Sequence, residues 1–203
     1  MSYKLMGAAA LTGTAGATGL VVANKEKIFG KSRTLSDDLK DKGYRLVSGV
    51  SDIAKRNAVL AEKLKDYQAE SNSSHEFKGK PKSSMTADTL LSSCQGLEKS
   101  SDYEAVLSTF KRWCVLDFKD VLVTVGGKAV ITDTGTDGTN WKQSLNTHRA
   151  HMKSVIEGVT DATSDNEQWK KVKSWCDGRL SVHYSNDSKE DFDRAEKWCL
   201  SAN

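Results

Sequence analysis

The chain has 203 residues, with 30 Lys and Arg against 27 Asp and Glu and a formal net charge of +3. So even a balance creates no field strong enough to gather the phosphates of a nucleic acid, and no nucleic-acid partner is expected. Proline occurs once, at Pro81, which leaves the chain free to be helical.

The first feature along the chain is an uncharged stretch from Leu5 to Ala23, framed by Lys4 before it and by Lys25, Glu26 and Lys27 after it. Its length suits one helical crossing of a bilayer, although it is rich in Gly, Ala and Thr rather than in large apolar side chains. Residues 4–23 are therefore read as a membrane-targeting or membrane-anchoring segment. Two forms stay open: a retained span, favoured by Ala9, Gly13 and Ala17 at helical spacing, or a signal peptide cut after Ala23. Four basic residues follow the segment, Lys25, Lys27, Lys31 and Arg33, and on charge alone they place that side in the cytoplasm. Gly13, Gly16 and Gly19 imitate a nucleotide-binding loop, but their spacing is wrong for the dinucleotide fingerprint and no strand precedes them.

A basic linker over 24–35 leads to about 180 residues, enough for one compact domain or two small ones. Ser36, Asp37 and Asp38 have the character of a helix cap with acids in the first turn. Leu39, Leu46, Val50, Ile53, Leu60 and Leu64 recur at helical spacing, interrupted by Gly43 and Gly49, which predicts a short helix, a turn and a longer helix to about Ala69. Residues 70–85 read as a polar loop, followed by helices near Ala87 to Lys99 and Tyr103 to Val115. Trp141 to Glu157 reads as a further helix.

The second half resembles the first. Gly43 to Val47 align with Gly127 to Ile131 at an offset of 84, Cys94 with Cys176 at 82, and Lys111 to Cys114 with Glu196 to Cys199 at 85. Agreement at nearly one offset implies a tandem duplication, with units over 36–116 and 117–203. Val121 to Ile131 is the ambiguous stretch: Val, Leu and Thr around Gly126 and Gly127 fit a hairpin, whereas the duplication argues for helix.

The four cysteines fall into two pairs, 20 and 23 residues apart, so each unit has two of its own. No two lie close enough for a zinc motif, which leaves disulfides or buried thiols. The second cysteine of each pair follows a Trp near a helix end, and bonds Cys94 to Cys114 and Cys176 to Cys199 are expected. Other candidates for chemistry are weak. Asp133, Thr134 and Gly135 spell the triplet of an aspartic protease, but Thr132 stands where that family needs an apolar residue. Asp133, Asp137 and Gly138 suggest a calcium loop that fails at Gly135 and Ser144. His148 and His151 lie three apart on a helix with no third ligand set by spacing, and His75 and His183 sit in loops without an obvious partner. Lys170, Lys171 and Lys173 between Trp169 and Trp175 read as a solvated helix face with a Trp stripe toward the core. No catalytic, cofactor or metal site is expected.

The Gly/Ala-rich span, the string DLKDKGYRLVSG over 38–49, FKRWC over 110–114 and AEKWC over 195–199 together resemble the short paralogous membrane-anchored proteins of haemotropic mycoplasmas. The resemblance implies an uncharacterised protein on the surface of a wall-less, erythrocyte-associated bacterium, facing host plasma, with a part in host contact or antigenic variation. The expected architecture is thus all-α: a transmembrane helix within 1–23, then two duplicated helical units, each with one disulfide. The domain is expected outside a single-pass membrane anchor, with host proteins or antibodies as partners. A cytoplasm-facing tethered scaffold, or a hydrolase using Asp133 or the His148 and His151 pair, are the alternatives.

Overall fold

The structure, a computed structural model, describes residues 33–132, 137–162 and 167–201. The anchor segment over 4–23, most of the basic linker, and Asp133, Thr134 and Gly135 lie outside the described residues. Among those described there are seven α-helices: α1 (Leu35–Asp41), α2 (Ile53–Ala69), α3 (Ala87–Glu98), α4 (Leu107–Cys114), α5 (Thr139–Met152), α6 (Gln168–Leu180) and α7 (Lys189–Trp198). Short 3-10 turns and one π turn (Asp120–Val125) join them, and β pairing among the described residues occurs only as isolated bridges, not strands. No helix among the described residues is long and apolar enough to cross a membrane.

The helix starts follow from capping chemistry. Thr34, not Ser36, caps α1: its hydroxyl accepts from the Asp37 N–H while the Asp37 carboxylate accepts from the Thr34 N–H, a reciprocal capping box. Ser36 is buried inside the first turn, and the linker expected over 24–35 gives way to the compact unit at Thr34. Asp52 and Thr86 cap α2 and α3 in the same manner, each accepting from the backbone N–H three residues on. α1 ends at Gly43, whose φ of +76° allows the Gly43 and Tyr44 N–H groups to close on the Lys40 and Leu39 carbonyls.

The second half repeats this construction. Asp117 and Asp120 form the capping box equivalent to Thr34 and Asp37, with reciprocal bonds of 2.7 and 3.2 Å. Buried Phe118 and Leu122 stand where Leu35 and Leu39 stand in α1, and Gly127, with φ +72°, stands where Gly43 does. The Leu35 N–H donates to Ser100 O and the Phe118 N–H to Val182 O, both at 2.9 Å. Leu46 bridges Val115, and Val130 bridges Leu200, antiparallel in both cases. Leu39 lies four residues before its glycine and Leu122 five, and the π turn absorbs the additional residue, with Gly126 N–H reaching back to Val121 O. Val121 to Ile131 is thus neither hairpin nor continuous helix: helical backbone runs to Val125, turns at Gly126 and Gly127, and is extended by Val130. The helix expected over Trp141 to Glu157 stops at Met152.

Two apolar clusters form the core. The first gathers Leu35, Val59, Leu60, Tyr67, Leu90, Phe110 and Trp113 around the bond Cys94–Cys114. The second gathers Phe118, Trp141, Leu145, Met152, Val172 and Trp198 around Cys176–Cys199. The Cα atoms are 5.4 and 5.5 Å apart, so both expected bonds form between the middle of one helix and the end of the next. Residues 70–85 form the expected polar loop, with two short 3-10 turns, and it is pinned to the core at two points. Phe77 and Met85 are buried, the Tyr67 hydroxyl accepts from Phe77 N–H and donates to Lys80 O, and Trp113 Nε1 donates to His75 O at 2.6 Å.

The two left-handed glycines make a controlled comparison. A Cβ at Gly43 would collide with the Asn186 side chain from the second half, whereas one at Gly127 would meet nothing. Gly127→Ala should cost only the left-handed strain of about 1 kcal/mol. Gly43→Ala should cost distinctly more, as read from urea unfolding of both variants.

Candidate functional site

The strongest polar feature is a buried charged junction between the halves. Lys63 sits on α2 among Val59, Leu60 and Tyr67 and is only 6% exposed, yet its ammonium is 2.9 Å from Asp120 Oδ2 and 4.0 Å from Asp117 Oδ2. Both carboxylates belong to the capping box that opens the π-turn segment, so one lysine holds the start of the second half against the long helix of the first. Lys55 Nζ adds a 2.6 Å bond to Val125 O, and Lys119 lies 3.7 Å from Glu62. Nearby, Phe118 N–H donates to Val182 O and Tyr184 N–H to Leu116 O, Phe118 and Tyr184 each meet Phe192 edge to face, and Arg45 covers the Tyr184 ring at 4.2 Å.

The electrostatics of this junction are tense. Burial, reinforced by the neighbouring Asp120 carboxylate, raises the Asp117 carboxyl to about 6 against the pull of Lys63. His183 bridges Asp117 through the backbone, and burial together with Lys63, Lys111 and Arg112 pushes its imidazole down to about 4. The sequence reading found no partner for His183 and did not single out Lys63. The available signal was a lysine in the middle of the apolar stripe of α2.

The residues that were singled out serve other ends. His148 and His151 both border an open cavity of 570 Å³ with Glu190 and Asp193, but those acids pair with Arg194 and Lys189. The His148 imidazole is held below its usual range by burial and by the charges of His151 and Lys197. Among the described residues no three His, Cys, Asp or Glu side chains converge as metal ligands would. His75 does have a partner: its Nδ1 lies 3.2 Å from Glu70 Oε2. Gly138, offered as part of a calcium loop, is left-handed at the start of α5, where Trp169 packs against it too closely for any Cβ. Trp169 is buried while Lys170 pairs with Glu167 and Lys173 with Asp177, the solvated face that was expected of α6. A second cavity, of 540 Å³, opens beside α5 and α7 and is bordered by Lys128, Ile131, Ser144, Thr147, His148 and Lys197. Comparison with protein-family models, with curated proteins and with solved structures finds no match.

Three substitutions probe the junction. Lys63→Met keeps the apolar stem but strands the buried Asp120 carboxylate and the half-buried one of Asp117, and should lower stability by about 3 kcal/mol near neutral pH. Part of that loss should return on acidification, as Asp117 protonates. His183 has a depressed folded-state pKa, so its contribution is lost as pH falls from its unfolded value toward 4. Asp117 has a raised one, so its contribution grows as pH falls through 6. On going from about pH 7 to about pH 4.5, His183→Gln should therefore gain stability relative to the parent and Asp117→Asn should lose it, as measured by urea midpoints at both pH values.

Proposed function

We propose that the protein is a non-enzymatic, single-span surface protein, anchored through residues 4–23, whose disulfide-bonded helical domain arose by tandem duplication and presents its helices and loops to host molecules or antibodies. The observation that carries this reading is the pairing of all four cysteines, with none left free. Disulfides persist where the surrounding fluid is oxidising, and for a cell without a wall that fluid is the host's. The resemblance to haemoplasma paralogues supports the same address. The duplication is supported by the paired capping boxes, left-handed glycines, bridges and disulfides that recur in the two halves.

The basic residues Lys25, Lys27, Lys31 and Arg33 favour a second reading, a scaffold held against the inner leaflet by the same anchor. Treating intact cells with a protease separates the two. An outward domain is cut while the membrane is whole. An inward one stays intact until detergent is added, which would rule out the surface role.

A further inference from the structure

The first half has an apolar cleft at a place where the second half is bridged by charge. The cleft lies between α3, the 3-10 turn Glu104–Val106 that leads into α4, and residues 74–80, and has a volume of 380 Å³. Ser93, Gly96 and Leu97, on one face of α3, line it together with Val106 and Thr109. With Cys94 placed on Cys176 and Cys114 on Cys199, Leu97 falls on Arg179, Val106 on Asp191 and Thr109 on Arg194. In the second half these positions tie α6 to α7: Arg179 lies 3.4 Å from Asp191, and Asp191 lies 3.0 Å from Arg194. Arg179 also covers the ring of Trp175, which stands where Ser93 does. Leu97 and Val106 cannot form that bridge, and Gly96 between them and Ser93 adds no side chain.

The outer wall of the cleft is held in place. Thr109 Oγ1 donates to Ser74 O at 3.1 Å, Phe77 N–H donates to the Tyr67 hydroxyl, and that hydroxyl donates to Lys80 O. Around the left-handed Gly79, Lys80 N–H returns to Phe77 O at 3.0 Å. This turn sets Lys78 and Lys80 at one edge of the cleft, both exposed. Neither has an ion pair or a side-chain hydrogen bond among the described residues. The one acid in the lining, Glu76, is matched by Lys82 at 3.0 Å. Ligand pockets run from about 300 Å³ upward, apolar in the main with a few polar groups that set orientation. A preformed apolar cleft with two unmatched ammonium groups at one edge suits a slender apolar body with a single anionic end.

We propose that this cleft binds a medium-chain fatty acid, with its alkyl chain along Phe77, Leu97 and Val106 and its carboxylate at Lys78 and Lys80. Removal of the alkyl chain from water supplies most of the affinity. The lysines are exposed, so they favour the ionised head over an uncharged one only several-fold, and added salt reduces that preference.

The test uses the full chain in lipid bilayer discs, a decanoate probe with a photoreactive diazirine on its chain, and mass spectrometry of the labelled peptides. Label should fall on the peptides holding Phe77, Leu97 and Val106, and unlabelled decanoate should displace it several-fold better than decanol. Gly96→Leu should abolish this labelling. A Cβ there meets nothing, and Leu is the better helix former, so the fold is kept. Leu97→Arg with Val106→Asp, which copies the bridge of the second half, should abolish it as well. Lys78→Gln with Lys80→Gln should weaken it several-fold and let decanol compete as well as decanoate. Label only on other segments, no label, equal competition by decanol in the parent, or labelling indifferent to these substitutions would overturn the proposal.

Discussion

Each half of the molecule is organised by one sulfur–sulfur bond that ties the middle of a helix to the end of the next. Small helical units bury a modest share of their surface, and a cross-link adds stability by restricting the unfolded chain. For loops of about 20 residues that restriction is worth on the order of 3 kcal/mol. The bond also sets direction. Trp113 and Trp198 precede the second cysteine of each pair and are driven into the core beside it. The residue after each of those cysteines then leaves the helix extended and meets Leu46 or Val130 in an antiparallel bridge. Bond, indole and bridge therefore fix the path of the chain at the same point in both halves.

That path carries the chain from Val115 through Leu116 straight into the capping box of Asp117 and Asp120, with no linker between the halves. The junction is consequently tight, and its charges are buried. A buried ion pair is a poor source of net stability, because desolvation consumes most of the attraction, but it is intolerant of misalignment. Lys63 can satisfy Asp120 in only one placement of the second half on α2. Around it, a carboxyl raised by burial and an imidazole lowered by burial titrate in opposite senses. Their opposed effects leave the junction less sensitive to mild acid than either group alone would make it.

The helices and the cysteine pairing were legible in the sequence because both are local. Leu60, Leu64 and their neighbours mark α2 by spacing, and the Trp-Cys ends of α4 and α7 stand out because they recur. What escaped the sequence depends on contacts far along the chain. Phe77 is buried only because Tyr67 and Trp113 hold the backbone of residues 70–85, and nothing local shows that this polar loop is pinned. Lys63 stands out locally only as a lysine within the apolar stripe of α2, and its partner Asp120 comes 57 positions later. The π turn follows from a single added residue between Leu122 and Gly127, a difference visible only once the two halves are compared position by position.

Locating the cysteine linkages in protein taken from intact cells, by alkylation before and after reduction with mass spectrometry of the peptides, decides whether the molecule is built and placed as described. Links from Cys94 to Cys114 and from Cys176 to Cys199, with no thiol free before reduction, are the expected result. Four free thiols would contradict an outward-facing domain, and a link crossing from one half to the other would contradict the two-unit construction.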